Sequence, residues 1–141
     1  MNTETAQEYL NQYSNAVARL QDKKEELIMM QKERSVSSAG LDANKVQTSP
    51  RQDKLESLAI DIVTLEKDIK LMEHTVKQIE ADIRSTIELI DDWRLRRILL
   101  WKYILNKDWR TIASSIDRDY KYTVNELHPK ALIALINVKS V

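Results

Sequence analysis

The chain has no cysteine, no phenylalanine, a single glycine and two prolines in 141 residues. Without thiols there are no disulfides and no thiolate metal sites, which suits a reducing compartment. Turns and strand ends are built largely on glycine and proline, so a chain this poor in both reads as almost wholly helical. No apolar run approaches the roughly 18 residues that a membrane span needs, and the polar N-terminus lacks the basic and apolar segments of a secretory signal. The expectation is a soluble protein of the cytoplasm with no membrane partner. A glycine-rich phosphate loop, a nucleophile with an arranged base and a His–carboxylate cluster at ligand spacing are also missing. Nothing in the sequence supports catalysis, a cofactor or a metal, and paired acids such as Asp91-Asp92 are better explained as a helix start.

What is present is 43% hydrophobic and 31% charged, a balance that is globular or coiled-coil rather than disordered. The formal net charge of zero conceals an asymmetry. From Arg94 onward there are ten Lys/Arg against four Asp/Glu, a surplus of +6, and the first 93 residues carry twelve against eighteen, a deficit of −6. Arg94, Arg96, Arg97, Lys102, Lys107, Arg110, Arg118, Lys121 and Lys130 all lie in the basic part, as a surface meeting phosphates requires. The bland alternative for any such charge run is a solvated helix face.

The clearest periodicity runs through Leu55, Leu58, Ile62, Leu65, Ile69, Met72, Val76, Ile79, Ile83, Thr86 and Ile90, which alternate three- and four-residue steps as a coiled-coil seam does. A helix from Pro50 to Ile90 would be about 60 Å long at 1.5 Å per residue. Ser49 as N-cap, Pro50 at the first position and Gln52 behind it give that helix a strong start. Upstream, Thr5 and Glu8 suggest a capping box, and Leu10, Tyr13, Val17, Leu20 and Leu27 give a narrower stripe in a helix reaching about Arg34. Tyr9 and Tyr13 fit seam and flank packing. Between the two helices, residues 35–49 read as a mobile linker around Gly40. The long seam is covered either by the first helix folding back or by the same helix of a second chain. The matching stripe favours the hairpin, and a homodimer stays open. His74, among charged neighbours off the seam, is expected to face solvent.

Near residues 85–92 the pattern changes. Trp93, Leu95, Ile98, Leu99, Trp101 and Ile104 form a broad apolar face, and Trp93, Trp101 and Trp109 are expected to build a small core. The organisation read here is 1–90 as a helical hairpin and 91–141 as a separate domain. In Asn106–Leu135, the apolar residues Trp109, Ile112, Ala113 and Ile116 precede a polar turn at Asp117, Arg118 and Asp119. Val124, Leu127, Ala131, Leu132 and Leu135 then resume helical spacing, which is the pattern of a helix-turn-helix. Small Ala113 permits a close helix crossing. Asp108 and Asp119 stand where a carboxylate caps a first turn. Pro129 should end the second helix near Leu127 and start a last one.

The run Leu99–Ile116 (LLWKYILNKDWRTIASSI), followed by Val124–Leu127 and Lys130–Leu135, resembles the region 4 helix-turn-helix of primary bacterial sigma factors. It is most similar to small phage-encoded regulators that carry that module. Asp117 stands where such turns often have glycine, and aspartate tolerates a left-handed backbone better than most residues. Composition and seams together point to an all-α protein, with a long antiparallel coiled-coil hairpin followed by a small helix-turn-helix bundle. The resemblance implies double-stranded DNA as partner. If Val124 and Leu127 face inward, then Lys121, Tyr122, Asn125 and Glu126 face the major groove. Lysine can donate to guanine, asparagine can pair bidentately with adenine, and glutamate can accept from cytosine. Arg110, Thr111 and Arg118 would then hold phosphates.

Two function classes follow. One is a phage transcription regulator that binds promoter DNA and touches host RNA polymerase. The other is a coiled-coil interaction protein, such as an inhibitor of a host protein, whose helix-turn-helix has lost DNA binding.

Overall fold

The computed structural model describes residues 2–39 and 50–140, and among these every regular element is helical. Helix α1 spans Thr3–Ala39 and helix α2 spans Pro50–Glu88. The cap of α1 is Asn2 rather than Thr5. The Asn2 Oδ1 accepts from the Thr5 backbone N–H and from the Thr5 hydroxyl, both at 2.8 Å, so Thr5 sits one turn inside the helix. At its other end α1 continues past Arg34, and residues 35–39, expected in the linker, are helical. The rest of that linker, with Gly40 and the Ser49 cap, lies outside the described residues. Pro50 opens α2 as its missing N–H allows.

The chain divides into two compact units, and each long helix contributes to both. The first is a hairpin of residues 17–75. Its seam is Leu20 from α1 with Leu58, Ile62, Leu65 and Ile69 from α2, all buried. Near the end of α1 and the start of α2, Glu33 and Lys54 form an exposed ion pair at 3.9 Å, which marks the two helices as antiparallel and stabilises them little. Several large apolar residues stay exposed here: Ile28, Met29 and Val36 on α1, and Ile60, Val63 and Leu71 on α2. His74 is exposed, as its charged neighbours suggested.

The second unit joins Met1–Ala16 with Val76–Val141, so the division does not fall at 90/91 as the change of period suggested. The reason is packing. Ala6 and Leu10 from α1 and Ile83, Ile87 and Ile90 from the end of α2 share one core with the helices that follow. Tyr9 fastens this corner, because its hydroxyl donates to Asp82 Oδ2 at 2.6 Å and lies 3.0 Å from the Thr86 hydroxyl. Burial, with the Asp82 carboxylate beside it, pushes the Tyr9 phenol up to about 12. Lys139, from the far end of the chain, places its ammonium 4.3 Å from the Tyr9 ring centre.

Asp92 caps helix α3 (Trp93–Leu99) by accepting from the Arg94 N–H at 2.9 Å. The helix then widens into a π turn over Leu100–Ile104, closed by the bond from the Leu105 N–H to the Leu100 carbonyl at 3.0 Å. A left-handed Asn106 (φ 53°) breaks it, and helix α4 (Trp109–Ser115) follows. The remaining elements are α5 (Tyr120–Tyr122), a second π turn over Thr123–Leu127, and α6 (His128–Lys139). The core collects Ile98 and Leu99 from α3, Ile112 and Ile116 at α4, and Leu135 from α6, each fully removed from solvent. Each such side chain contributes about 1.5–3 kcal/mol of hydrophobic burial. The tryptophans are not the centre of this core: Trp101 and Trp109 pack on its margin, and Trp93 is 43% exposed. Aliphatic side chains fill the interior, and the indoles of Trp101 and Trp109 cover it.

Candidate nucleic-acid interface

Asp108 starts α4 by accepting from the Thr111 N–H at 2.7 Å, and that bond holds its carboxyl below the usual value. The backbone turns after Ile116 through a left-handed Asp117 (φ 55°), the conformation that glycine supplies in other turns. The Arg118 N–H closes the turn on the Ala113 carbonyl at 3.0 Å, and Ala113 itself is buried. Asp119 then caps the next helix, its Oδ2 accepting from the N–H groups of Lys121 and Tyr122 at 3.1 and 3.3 Å. Both aspartates thus act as the sequence pattern suggested.

In the helix that begins at Tyr120, the inward positions are Thr123, fully buried, and Leu127, 9% exposed. Val124, expected to point fully inward, is only half-buried. A threonine is tolerated inside because its hydroxyl donates to the Asp119 carbonyl at 2.8 Å, one turn back. Lys121, Tyr122, Asn125 and Glu126 are all exposed on the other side. Arg110, Thr111 and Arg118 are exposed as well. The Arg110 guanidinium lies 5.7 Å from the Tyr120 ring centre, which joins α4 to the start of the next helix, and Arg118 donates back to the Asp117 carbonyl at 2.9 Å.

Pro129 does not break the chain into two helices. Leu127 and His128 keep right-handed helical angles, and Tyr120 to Lys139 runs on without a gap. What accommodates the proline is the π turn over Thr123–Leu127, where the His128 N–H reaches back five residues to the Thr123 carbonyl. The wider turn relieves the crowding that a prolyl ring creates against the preceding turn. Beside it, His128 Nε2 lies 2.7 Å from the Tyr103 hydroxyl and the imidazole meets the Trp109 ring edge-on at 4.8 Å. Burial, and then the Lys102 charge, hold His128 below its usual value, and burial raises Tyr103.

Not every arginine of the basic part faces solvent with its charge open. Arg96 donates to the carbonyls of Ile90 and Asp91 at 2.6 and 2.9 Å, just past the end of α2. Arg97 donates to the Ser115 carbonyl at 2.8 Å, at the end of α4. Cations at helix C-termini satisfy carbonyls that have no partner within the helix. The sequence showed three arginines in a row of four but not this division of labour. It also did not show that Trp93, Arg94, Arg97 and Trp101 stack together, although their spacing of one, three and four residues on a helix is the signal that could have found it.

Among the described residues there is no group of His, Asp or Glu placed to hold a metal, and no helix is long and apolar enough to cross a membrane. No family model, curated protein or solved structure matches the chain.

Proposed function

We propose that the protein is a non-enzymatic DNA-binding transcription regulator of phage origin, with α4 and the helix from Tyr120 forming a sigma region 4-like helix-turn-helix. One observation carries the reading. Lys121, Tyr122, Asn125 and Glu126 are exposed together on the first two turns of the helix from Tyr120, whose opposite side is anchored there by buried Thr123 and Leu127. A helix held in this way presents its N-terminal polar side chains rigidly, as reading base edges in a major groove requires. Arg110, Thr111 and Arg118 flank that row and supply phosphate contacts, in the part of the chain with a +6 surplus.

The test separates reading from folding. Changing Lys121 and Asn125 to alanine should leave helicity and melting unchanged and weaken binding to the best duplex by about 1–3 kcal/mol per lost bidentate contact. Wild-type affinity should fall steeply with salt, because each neutralised phosphate releases counterions. Equal affinity of the double variant and the wild type would end the base-reading proposal.

A second reading rests on the hairpin, where Ile28, Met29, Val36, Ile60, Val63 and Leu71 are exposed. Exposed apolar side chains gathered on one hairpin suit an interaction surface, so a protein that inhibits a host partner through this hairpin is the alternative. Binding to a host protein that survives the Lys121/Asn125 change would favour it.

A further inference from the structure

Trp93, at the start of α3, is 43% exposed and carries two arginines: the guanidinium carbons of Arg94 and Arg97 lie 4.8 and 5.0 Å from its ring centre. Arg97 also lies 5.4 Å from the Trp101 ring centre, so one guanidinium links the two indoles. Trp101 in turn forms one wall of a shallow groove of about 470 Å³ whose other walls are Arg110, Thr111, Ser114 and Ser115 of α4. Arg110 reaches Tyr120 at the start of the next helix. The result is one continuous strip of arginine, indole and hydroxyl groups. It runs from the helix that carries Lys121 and Asn125 to the first residues of α3.

Two features of this strip call for an anionic ligand. The Arg94 Nε is buried and has no hydrogen-bond acceptor, although a guanidinium N–H shielded from water is costly to leave unpaired. The indoles fix the guanidinium planes, so little rotamer freedom remains to be lost when an oxyanion docks. Tetrahedral phosphate oxygens spaced along a backbone match arginines separated along a strip and the hydroxyls of Thr111 and Ser114 between them.

We propose that this strip is a second phosphate-backbone contact, which lengthens the duplex footprint beyond the base pairs under Lys121 and Asn125. It rests on the DNA-binding reading for the identity of the ligand. Arg94, whose Nε has no acceptor within the chain, is its donor, Trp93 is the positioning residue that holds Arg94, and Arg110 joins the strip to the base-reading helix.

Fluorescence anisotropy with a short and a long duplex, about 12 and about 30 base pairs and sharing one binding sequence, tests it. Arg94→Gln should lower affinity for the long duplex about fivefold and reduce its salt slope by about one, as loss of one phosphate contact does, and should leave the short duplex unaffected. Trp93→Leu, with the arginine retained, should weaken the long duplex less and leave the salt slope in place. Melting curves matching the wild type confirm that both variants fold. Unchanged binding of the long duplex by both folded variants would overturn the strip alone, and so would equal losses on the two lengths. Loss in Arg94→Gln with none in the Lys121/Asn125 double variant would sustain the strip and overturn base reading. If the wild type binds neither duplex, both proposals fall. If polyglutamate displaces the long duplex at lower charge concentration than a random-sequence DNA of the same length does, the strip serves an acidic protein instead.

Discussion

The hairpin of residues 17–75 and the unit built from 2–16 and 76–140 use the same two helices, yet they bury side chains to different depths. Among the described residues of the hairpin the most enclosed, Ile62, keeps 4% of its surface, whereas Leu10, Ile83, Ile98, Ile112 and Leu135 of the other unit keep essentially none. Two helices side by side form a single seam and cannot close around a side chain. A third and fourth helix supply the missing walls, and that is the difference between a seam and a core. Position along a heptad therefore says little about energy until the neighbours are known. Leu10 and Val17 lie seven residues apart on one stripe of α1, and the first is fully buried and the second 38% exposed.

The strongest way to break this comparison is to put a charge in the hairpin seam. Leu65→Asp should melt much of the helix between 17 and 75, because a buried charge without a partner is costly. All three tryptophans belong to the other unit, so their emission should stay native while far-ultraviolet dichroism falls. Simultaneous loss of both signals would mean that the units unfold as one. A melting temperature that rises steeply with protein concentration in the wild type would mean that the seam is intermolecular.

A smaller and sharper test compares truncations on one stripe. Leu10→Ala should destabilise by about 2–5 kcal/mol, the range for emptying a closed core site. Val17→Ala should stay within about 0.5 kcal/mol, as for other exposed positions. Urea denaturation of the two variants measures the contrast, and equal costs would show that the two sites are enclosed alike. Next in size is the cap of the helix from Tyr120: Asp119→Ala should cost about 1 kcal/mol and Asp119→Asn much less, read from the same denaturation curves.

The smallest effect is in pH. Burial and Lys102 hold the His128 imidazole below its ordinary 6.5, so the unfolded chain takes up the proton first as pH falls. The stability contributed by the neutral ring is complete above about 6.5 and declines as pH drops from there toward the lower folded value. Melting temperatures from pH 7.5 to 5.5 should show this decline, and His128→Gln should reduce it. An identical slope in the variant would assign the decline to other groups.

Much of the architecture was legible in the residues. The two long helices follow from the seam of Leu58, Ile62, Leu65 and Ile69, and the caps at Asp92, Asp108 and Asp119 from chemistry that acts within one turn. The left-handed Asp117 was suggested only by the resemblance, which puts glycine at that place in the turn. Long-range effects were not. Nothing local tells Ala6 and Leu10 that they will meet Ile87, or Trp93 that it will lie outside the core. The polar row Lys121, Tyr122, Asn125 and Glu126 could be read because its exposure follows from helical phase. The role of Arg96 at the end of α2 could not, because it depends on where a different helix stops.

That dependence on phase gives the π turns a meaning for inheritance. Inside an ordinary helix, losing one residue swings everything beyond it by about 100° and carries buried side chains into water. At Leu100–Ile104 the backbone already accommodates one residue more than an α-helical turn would hold, with buried Leu99 and Ile104 five positions apart at its two sides. A deletion there would tighten the turn to the ordinary form and keep both side chains facing the same way. Such a π turn is a place where length can change between descendants while the surfaces on either side stay in register.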